Sequence, residues 1–205
     1  MGKILSVSLQ ISAIILPHWI KRPLFRFALG WKIRRGSRIG FSIILCENVR
    51  IGVGCRIGHF NLFRDLRMLG IGDGTEILNF NHFMGSRHEN WPDHFSIGNN
   101  SKVTSHHFFD CGGGIVIGDL CCVGGRDAQF WTHYLTAINK TAWRELIIDD
   151  RCYVGARATL VYCRIPADSV VGAGAVVTKD YSKEGTGLLL AGNPAEVRKR
   201  QGKVL

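Results

Sequence analysis

Between about Ile33 and Thr178 the apolar positions recur on a six-residue beat. An aliphatic residue is followed by Gly, then a polar turn, then a small residue at the fifth place. The clearest copies are IGVGCR (51–56), IGDGTE (71–76), IGNNSK (97–102), IGDLCC (117–122), VGARAT (154–159) and VGAGAV (171–176). Six residues suit one short strand and one turn. Three such strands close a triangular coil, and coils stack as parallel strands about 4.8 Å apart. On the first face the coils open at Ile51, Ile71, Ile97, Ile117, Ile148 and Ile165. Where their spacing exceeds three hexads most, near 84–94 and 134–145, the pattern predicts insertions.

In such a coil the opener points inward, and so does the fifth residue, which must be small to fit the corner. Cys55, Thr75, Ser101, Cys121, Cys152, Ala158, Ser169 and Ala175 occupy that slot, so several cysteines read as small core residues. Counted from the first-face openers, the second-face slot holds Asn61, Asn81, His107 and Asp127 before Ala158 and Ala175. This predicts a polar inward column with His107 beside Asp127. Buried polar groups need partners, so the column reads as a hydrogen-bond ladder. A carboxylate beside an imidazole also orients a catalytic base. On the third face Phe63, Phe83 and Phe109 are expected to stack, with Gln129 breaking the stack.

The first 32 residues lack the beat. Ile4 to Ile20 carries no acid, Lys or Arg, but it contains Ser6, Ser8, Gln10, Ser12, Pro17 and His18. It is too short and polar for a comfortable span and lacks a small-residue cleavage site. Trp19, Leu24, Phe25, Phe27 and Trp31 then interleave with basic residues, a mixture that suits a lipid headgroup boundary. A helix packed on the main domain with a solvated basic face is the alternative. The arm, 1–32, precedes the repeats and is read as separable from them. A body at 33–182 and a C-terminal loop and helix at 183–205 follow.

Charge sharpens this division. The chain has 205 residues and a formal net charge of +10. Eight of its 26 basic residues fall within 1–38, where no acid occurs; the rest is nearly neutral. That asymmetry disfavours a general nucleic-acid surface and favours a localised anionic partner, such as an anionic membrane. Gly is enriched at 25 residues and Pro is scarce at 5, as a turn-rich solenoid requires. Seven cysteines without a CxxC pair signal neither disulfides nor zinc, and a reducing cytosol is the expected compartment.

The hexads and the C-terminal runs VVGAGAVVTKD (170–180) and LLLAGNPAEVRKR (188–200) resemble those of the hexapeptide-repeat acyltransferases. The resemblance covers about 33–198. It implies an all-β, left-handed parallel β-helix; the period itself carries no handedness. It implies acetyl-CoA as acyl donor and a histidine at a strand-to-loop position, often after Thr, as general base. Trp131-Thr132-His133-Tyr134 matches that position at His133. The two-histidine version of the motif is missing, which leaves His106 and His107 as competing candidates. The resemblance further implies that coenzyme A lies along Gly155, Ala156, Ala173 and Gly174 and the Asn193-Pro194 turn. Lys179, Arg198 or Lys199 would meet its phosphates. Asn81, His82 and Trp131 are candidates for the acceptor.

The reaction expected is O-acetylation of a sugar or glycan hydroxyl, in polysaccharide or glycolipid assembly, by a homotrimer with sites between subunits. N-acetylation of an amino sugar stays open. So do a metal-dependent lyase like the γ-class carbonic anhydrases, which share this fold, and a non-catalytic scaffold. His59, His82, His88 and His94 invite the metal reading, but the last three lie six apart rather than about five, so no metal site is assigned.

Overall fold

In a computed structural model, which describes residues 3–135 and 141–200, the chain forms a three-sided parallel β-helix entered by a helical arm. The first-face register aligns Ile33, Ile51, Ile71, Ile97, Ile117, Ile148 and Ile165. The second aligns Ile39, Ile57, Ile77, Val103, Val123, Val154, Val171 and Leu190. Every one of these side chains is buried. The openers read from the six-residue beat are therefore the core ladders of seven coils.

The third face corrects one expectation. Phe63, Phe83 and Phe109 stack, and Phe130 continues the stack, with centroid spacings of 4.3, 4.5 and 4.4 Å. Gln129 does not break it. It pairs with Phe108 on the outward side. The cause is one extra residue in the Gly124-Gly125 turn, where Gly125 takes a φ of +69°. That residue also moves Asp127 out of the inward column. Asp127 sits exposed in the turn at φ 63°, and Ala128 fills the slot beside His107.

The corner from third to first face differs from the other two. In the first two coils, strands Ile43–Ile51 and Leu62–Ile71 run straight through it. In the third coil a loop, 85–93, leaves the prism there. In the fifth, an antiparallel hairpin of His133–Leu135 and Thr141–Trp143 does so. The repeat predicts insertions near 84–94 and 134–145; residues 136–140 of the second lie outside the described residues.

The small-slot column is hydrogen-bonded from coil to coil: Ser101 N–H donates to Thr75 Oγ1 (3.1 Å) and Cys121 N–H to Ser101 Oγ (2.9 Å). Burial raises the thiol pKa of Cys55, Cys111 and Cys163, the last to about 12, so these are packing residues. At the C-terminal end no helix forms within 183–200. Leu188–Gly192 adds to the second face, and Ala195–Arg200 returns antiparallel to it. Leu188 and Leu190 keep the inward alternation, and Gly192 (φ +106°) supplies the turn.

The arm comprises helix α1 (Lys3–Ser12), a single 3₁₀ turn and helix α2 (His18–Leu29), which Gly30 ends in the left-handed conformation. It is not separable in packing terms. Ala13, Phe25 and Trp31 are buried in the same cluster as Ile33 and Ile39. Gln10 lies alongside Ile44, donating to its carbonyl (3.0 Å) and accepting from its N–H (2.8 Å). Among the described residues no strand precedes the third-face strand of the first coil, so this side-chain amide stands in for one. Among the described residues no helix is long and apolar enough to cross a membrane.

Candidate active site

The third-to-first corner gathers three buried carboxylates, Asp65, Asp93 and Asp110. Asp93 holds the 85–93 loop in place, accepting from Ser86 N–H (2.7 Å) and Ser86 Oγ (2.9 Å). Asp65 pairs with Arg87 (2.7 Å) on that loop. Asp110 follows Phe109, so strand alternation turns it outward at the end of its strand. Its Oδ2 meets Nδ1 of His133, the first residue of the hairpin. Neither atom has another hydrogen-bond partner among the described residues. Asp110 Oδ1 accepts from Gly112 N–H (3.2 Å).

Thr132 fixes the hairpin's root. Its hydroxyl donates to the Asp110 carbonyl (2.8 Å) and accepts from Gly113 N–H (2.7 Å). The Trp91 ring lies 5.3 Å from the His133 ring and packs over Gly112, where a Cβ would stand 2.7 Å from Trp91 Cε3. Beyond the hairpin, His94 pairs with Glu145 (3.0 Å) and Arg144 with Asp180.

Burial raises the Asp110 pKa, and the adjacent His133 and the Gly112 and Thr132 backbone bonds oppose that rise. With Asp110 ionised, Nδ1 carries the ring's proton toward the carboxylate. Nε2, on the far side of the ring, is then the basic nitrogen. The His133 side chain is 38% exposed, against 5% for Asp110. The arrangement is a reachable imidazole oriented by a buried acid.

The structure separates the other candidates. His107 is 2% exposed and fully engaged: Nδ1 accepts from Ala128 N–H (3.1 Å) and Nε2 lies 2.8 Å from Thr104 Oγ1. Burial lowers its pKa to about 4. Asn81 is 1% exposed and points inward between Asn61 and His107, so it lines no acceptor surface. His106 stacks on Phe80 at the second-to-third corner (4.9 Å). His82 and Trp131 both flank Phe108 on the outer third face.

Gly155, Ala156, Ala173 and Gly174 do come together. Gly174 N–H donates to the Ala156 carbonyl (2.8 Å), and a Cβ on Gly155 would meet Ala173 N at 2.6 Å. The C-terminal hairpin bearing Asn193, Pro194 and Arg198 adjoins them through Gly172 and Ala191. Lys179 stands apart and exposed, beyond the last third-face strand. This small-residue cluster lies on the second-to-third corner, whereas His133 lies on the third-to-first corner. One chain therefore carries the two groups at opposite edges of its third face. Among the described residues no three His, Cys, Asp or Glu side chains gather as a metal site.

Sequence reasoning missed Asp110 and Trp91. A signal for Asp110 existed: it follows an inward Phe and precedes the corner that both insertions share.

No protein-family model matches the chain, and no curated protein matches it. Solved structures do. A variant of AntD, an N-acyltransferase from Bacillus cereus in complex with dTDP and coenzyme A, is 12% identical with a TM-score of 0.59, over 89% of this chain and 90% of that one. A hexapeptide-repeat-containing acetyltransferase from Vibrio cholerae, complexed with acetyl coenzyme A, is 19% identical over 98% and 87% of the chains, with a TM-score of 0.45. A maltose O-acetyltransferase from Clostridium difficile is 16% identical over 98% and 86%, with a TM-score of 0.46. At these identities the likeness to AntD shows the fold.

Proposed function

We propose that this chain is an acetyl-CoA-dependent O-acetyltransferase of the hexapeptide-repeat type, built on a left-handed coil and acting on a sugar or glycan hydroxyl. The contact between His133 and buried Asp110 carries the reading. Nε2 of His133 takes the acceptor's hydroxyl proton as its oxygen bonds to the thioester carbonyl carbon. The tetrahedral intermediate then collapses, the C–S bond breaks, and the imidazolium returns the proton to the departing coenzyme A thiolate. Asp110 holds Nδ1–H and stabilises the transient imidazolium as a positioning residue. His107 and Asp127 have no part in the step. The AntD complex supports coenzyme A as a ligand for this fold, with Gly155, Ala156, Ala173, Gly174, Asn193, Pro194 and Arg198 as the surface for it.

The outer third face favours a homotrimer. Among its outward residues are Leu62, Met84, Phe108, Trp131, Val161 and Val176, all half-buried, whereas the outward row of the second face is charged over its first four coils (Arg38, Arg56, Glu76 and Lys102) before Cys122, Tyr153, Val170 and Leu189. A copy packed on this face sets its small-residue corner against the neighbour's dyad. His82 and Trp131 then flank the acceptor. AntD's N-acyl transfer favours an amino-sugar acceptor as the second reading, since the same base serves an amine.

The test is a thioester-consumption screen with acetyl-CoA against hydroxyl and amino sugars, free and nucleotide-linked. Turnover that His133→Ala abolishes supports the reading. A folded chain that neither binds coenzyme A nor consumes acetyl-CoA with any acceptor would overturn it.

A further inference from the structure

The arm's two faces point in opposite directions. In α2, Lys21 and Phe25 are buried against the first coil. At about 100° per residue, Trp19, Pro23 and Phe27 centre on the opposite side. Trp19 is 76% and Phe27 91% exposed, and Ile15, in the preceding turn, is 86% exposed. Helix α2 touches both the first-face and the second-face strands of the first coil, so it lies across the open end of the prism. Its apolar ridge is therefore exposed at that end of the prism. Trp19, Pro23 and Phe27 also line an open groove of about 480 Å³ between α2 and the first coil, shared with His18, Arg22, Arg26 and Arg38. No acid occurs before Glu47.

We propose that this end of the prism docks on an anionic lipid bilayer. Large aromatics exposed beside guanidinium groups match the boundary between acyl chains and headgroups, where rings insert and Arg pairs with phosphate. The charge favours this occupant over a second copy of the chain, because two such all-basic ends repel each other. It also favours a lipid over a nucleic acid, because a polyanion strand makes no use of an apolar ridge on the helix's outermost side. The sequence left open whether the arm packs on the body or contacts a membrane; α2 does the first with Phe25 and presents Trp19 and Phe27 for the second. Nothing in this proposal rests on acyl transfer.

The test is co-sedimentation of the full chain with vesicles of phosphatidylcholine alone and of phosphatidylcholine mixed with phosphatidylglycerol. Binding is expected to the mixed vesicles only, with a fraction that survives high salt. Trp19→Ala with Phe27→Ala should remove that salt-resistant fraction. Arg22→Gln with Arg26→Gln should weaken low-salt binding about tenfold or more. The four side chains are solvent-facing to varying degrees, and unchanged circular dichroism and melting temperature would establish that both variants fold. Equal binding to the two vesicle types, or wild-type binding by both folded variants, overturns the proposal. So does displacement by inorganic phosphate beyond that by chloride of equal ionic strength, which would make the groove a site for the free ion.

Discussion

His107→Asn should flatten the acid side of the stability profile. In the native chain the imidazole is 2% exposed in the inward column between Asn81 and Ala128. Its Nδ1 accepts the Ala128 N–H, so Nε2 carries the proton and donates to Thr104, whose hydroxyl passes a bond to the Val123 or Gly125 carbonyl. The ring is fully satisfied when neutral. Burial pushes its pKa from 6.5 down to about 4. The unfolded chain therefore binds a proton in a window where the folded chain does not. Stability contributed by the neutral ring is complete above about pH 6.5 and is lost as pH falls toward about 4. Integrated across that window the loss is about 3 kcal/mol, or roughly 6–12 °C in melting temperature for a chain of this size. Asn at 107 offers Ala128 N–H the same kind of acceptor that Asn61 and Asn81 offer one coil earlier, and it does not titrate. The assay is denaturant or thermal unfolding of both proteins from pH 7 to pH 4. The wild type should fall further than the variant by the stated amount. Parallel curves would mean that the ring is charged or solvated in the folded chain, and the column would not be the dry ladder described.

Four other outcomes follow from the geometry. His133→Ala should lower kcat by about 10²–10⁴ with coenzyme A affinity unchanged by calorimetry, and Asp110→Asn by about 10² or more, since an amide cannot hold the imidazole in the same tautomer. Gly112→Ala should impair turnover more than it impairs folding, because its new Cβ meets Trp91 at 2.7 Å and shifts the ring from His133; unfolding midpoints beside kcat separate the two effects. Gln10→Ala should cost about 1–3 kcal/mol in equilibrium unfolding, because it leaves the Ile44 N–H and carbonyl unpaired at a buried edge.

The six-residue beat made the core legible because each opener has one place to go. A β-branched or aliphatic side chain every sixth residue either faces the axis or the coil does not close. Ile33 through Ile165 consequently fell into register as read. The reading failed where one residue of turn length mattered. Gly124-Gly125 is one residue longer than Leu78 or Thr104 at the equivalent turn, and a strand slipped by one exchanges its faces. That exchanged Asp127 for Ala128 and Gln129 for Phe130. The arm's packing was illegible for a different reason. Gln10 has no local signature as an edge partner, because its role depends on which strand the first coil leaves exposed. The C-terminal run read as a helix, yet Leu188 and Leu190 keep a two-residue alternation that extends the second face.

The site's location follows from which corner can open. At the first-to-second corner each Asx side chain accepts the backbone N–H one coil back. The ladder runs from Val53 to Asp73, Asn99, Asp119 and Asp150 at 2.6–2.8 Å, and an inserted loop would break it. At the second-to-third corner Phe60, Phe80, His106, Asp127, Arg157 and Gly174 repeat a left-handed residue from coil to coil, and the corner takes up no more than the single extra residue at Gly124-Gly125. Among the described residues only the third-to-first corner lacks such a repeat, and both insertions leave the prism there. Two buried carboxylates of the coils then draw a partner from inserted chain, Asp65 taking Arg87 and Asp110 taking His133, while Asp93 takes Ser86 within the loop itself. A guanidinium and a hydroxyl only hold their loop in place. An imidazole holds its hairpin and keeps a second nitrogen for a proton, so among the pairings of these three buried carboxylates that of Asp110 can do chemistry as well as support.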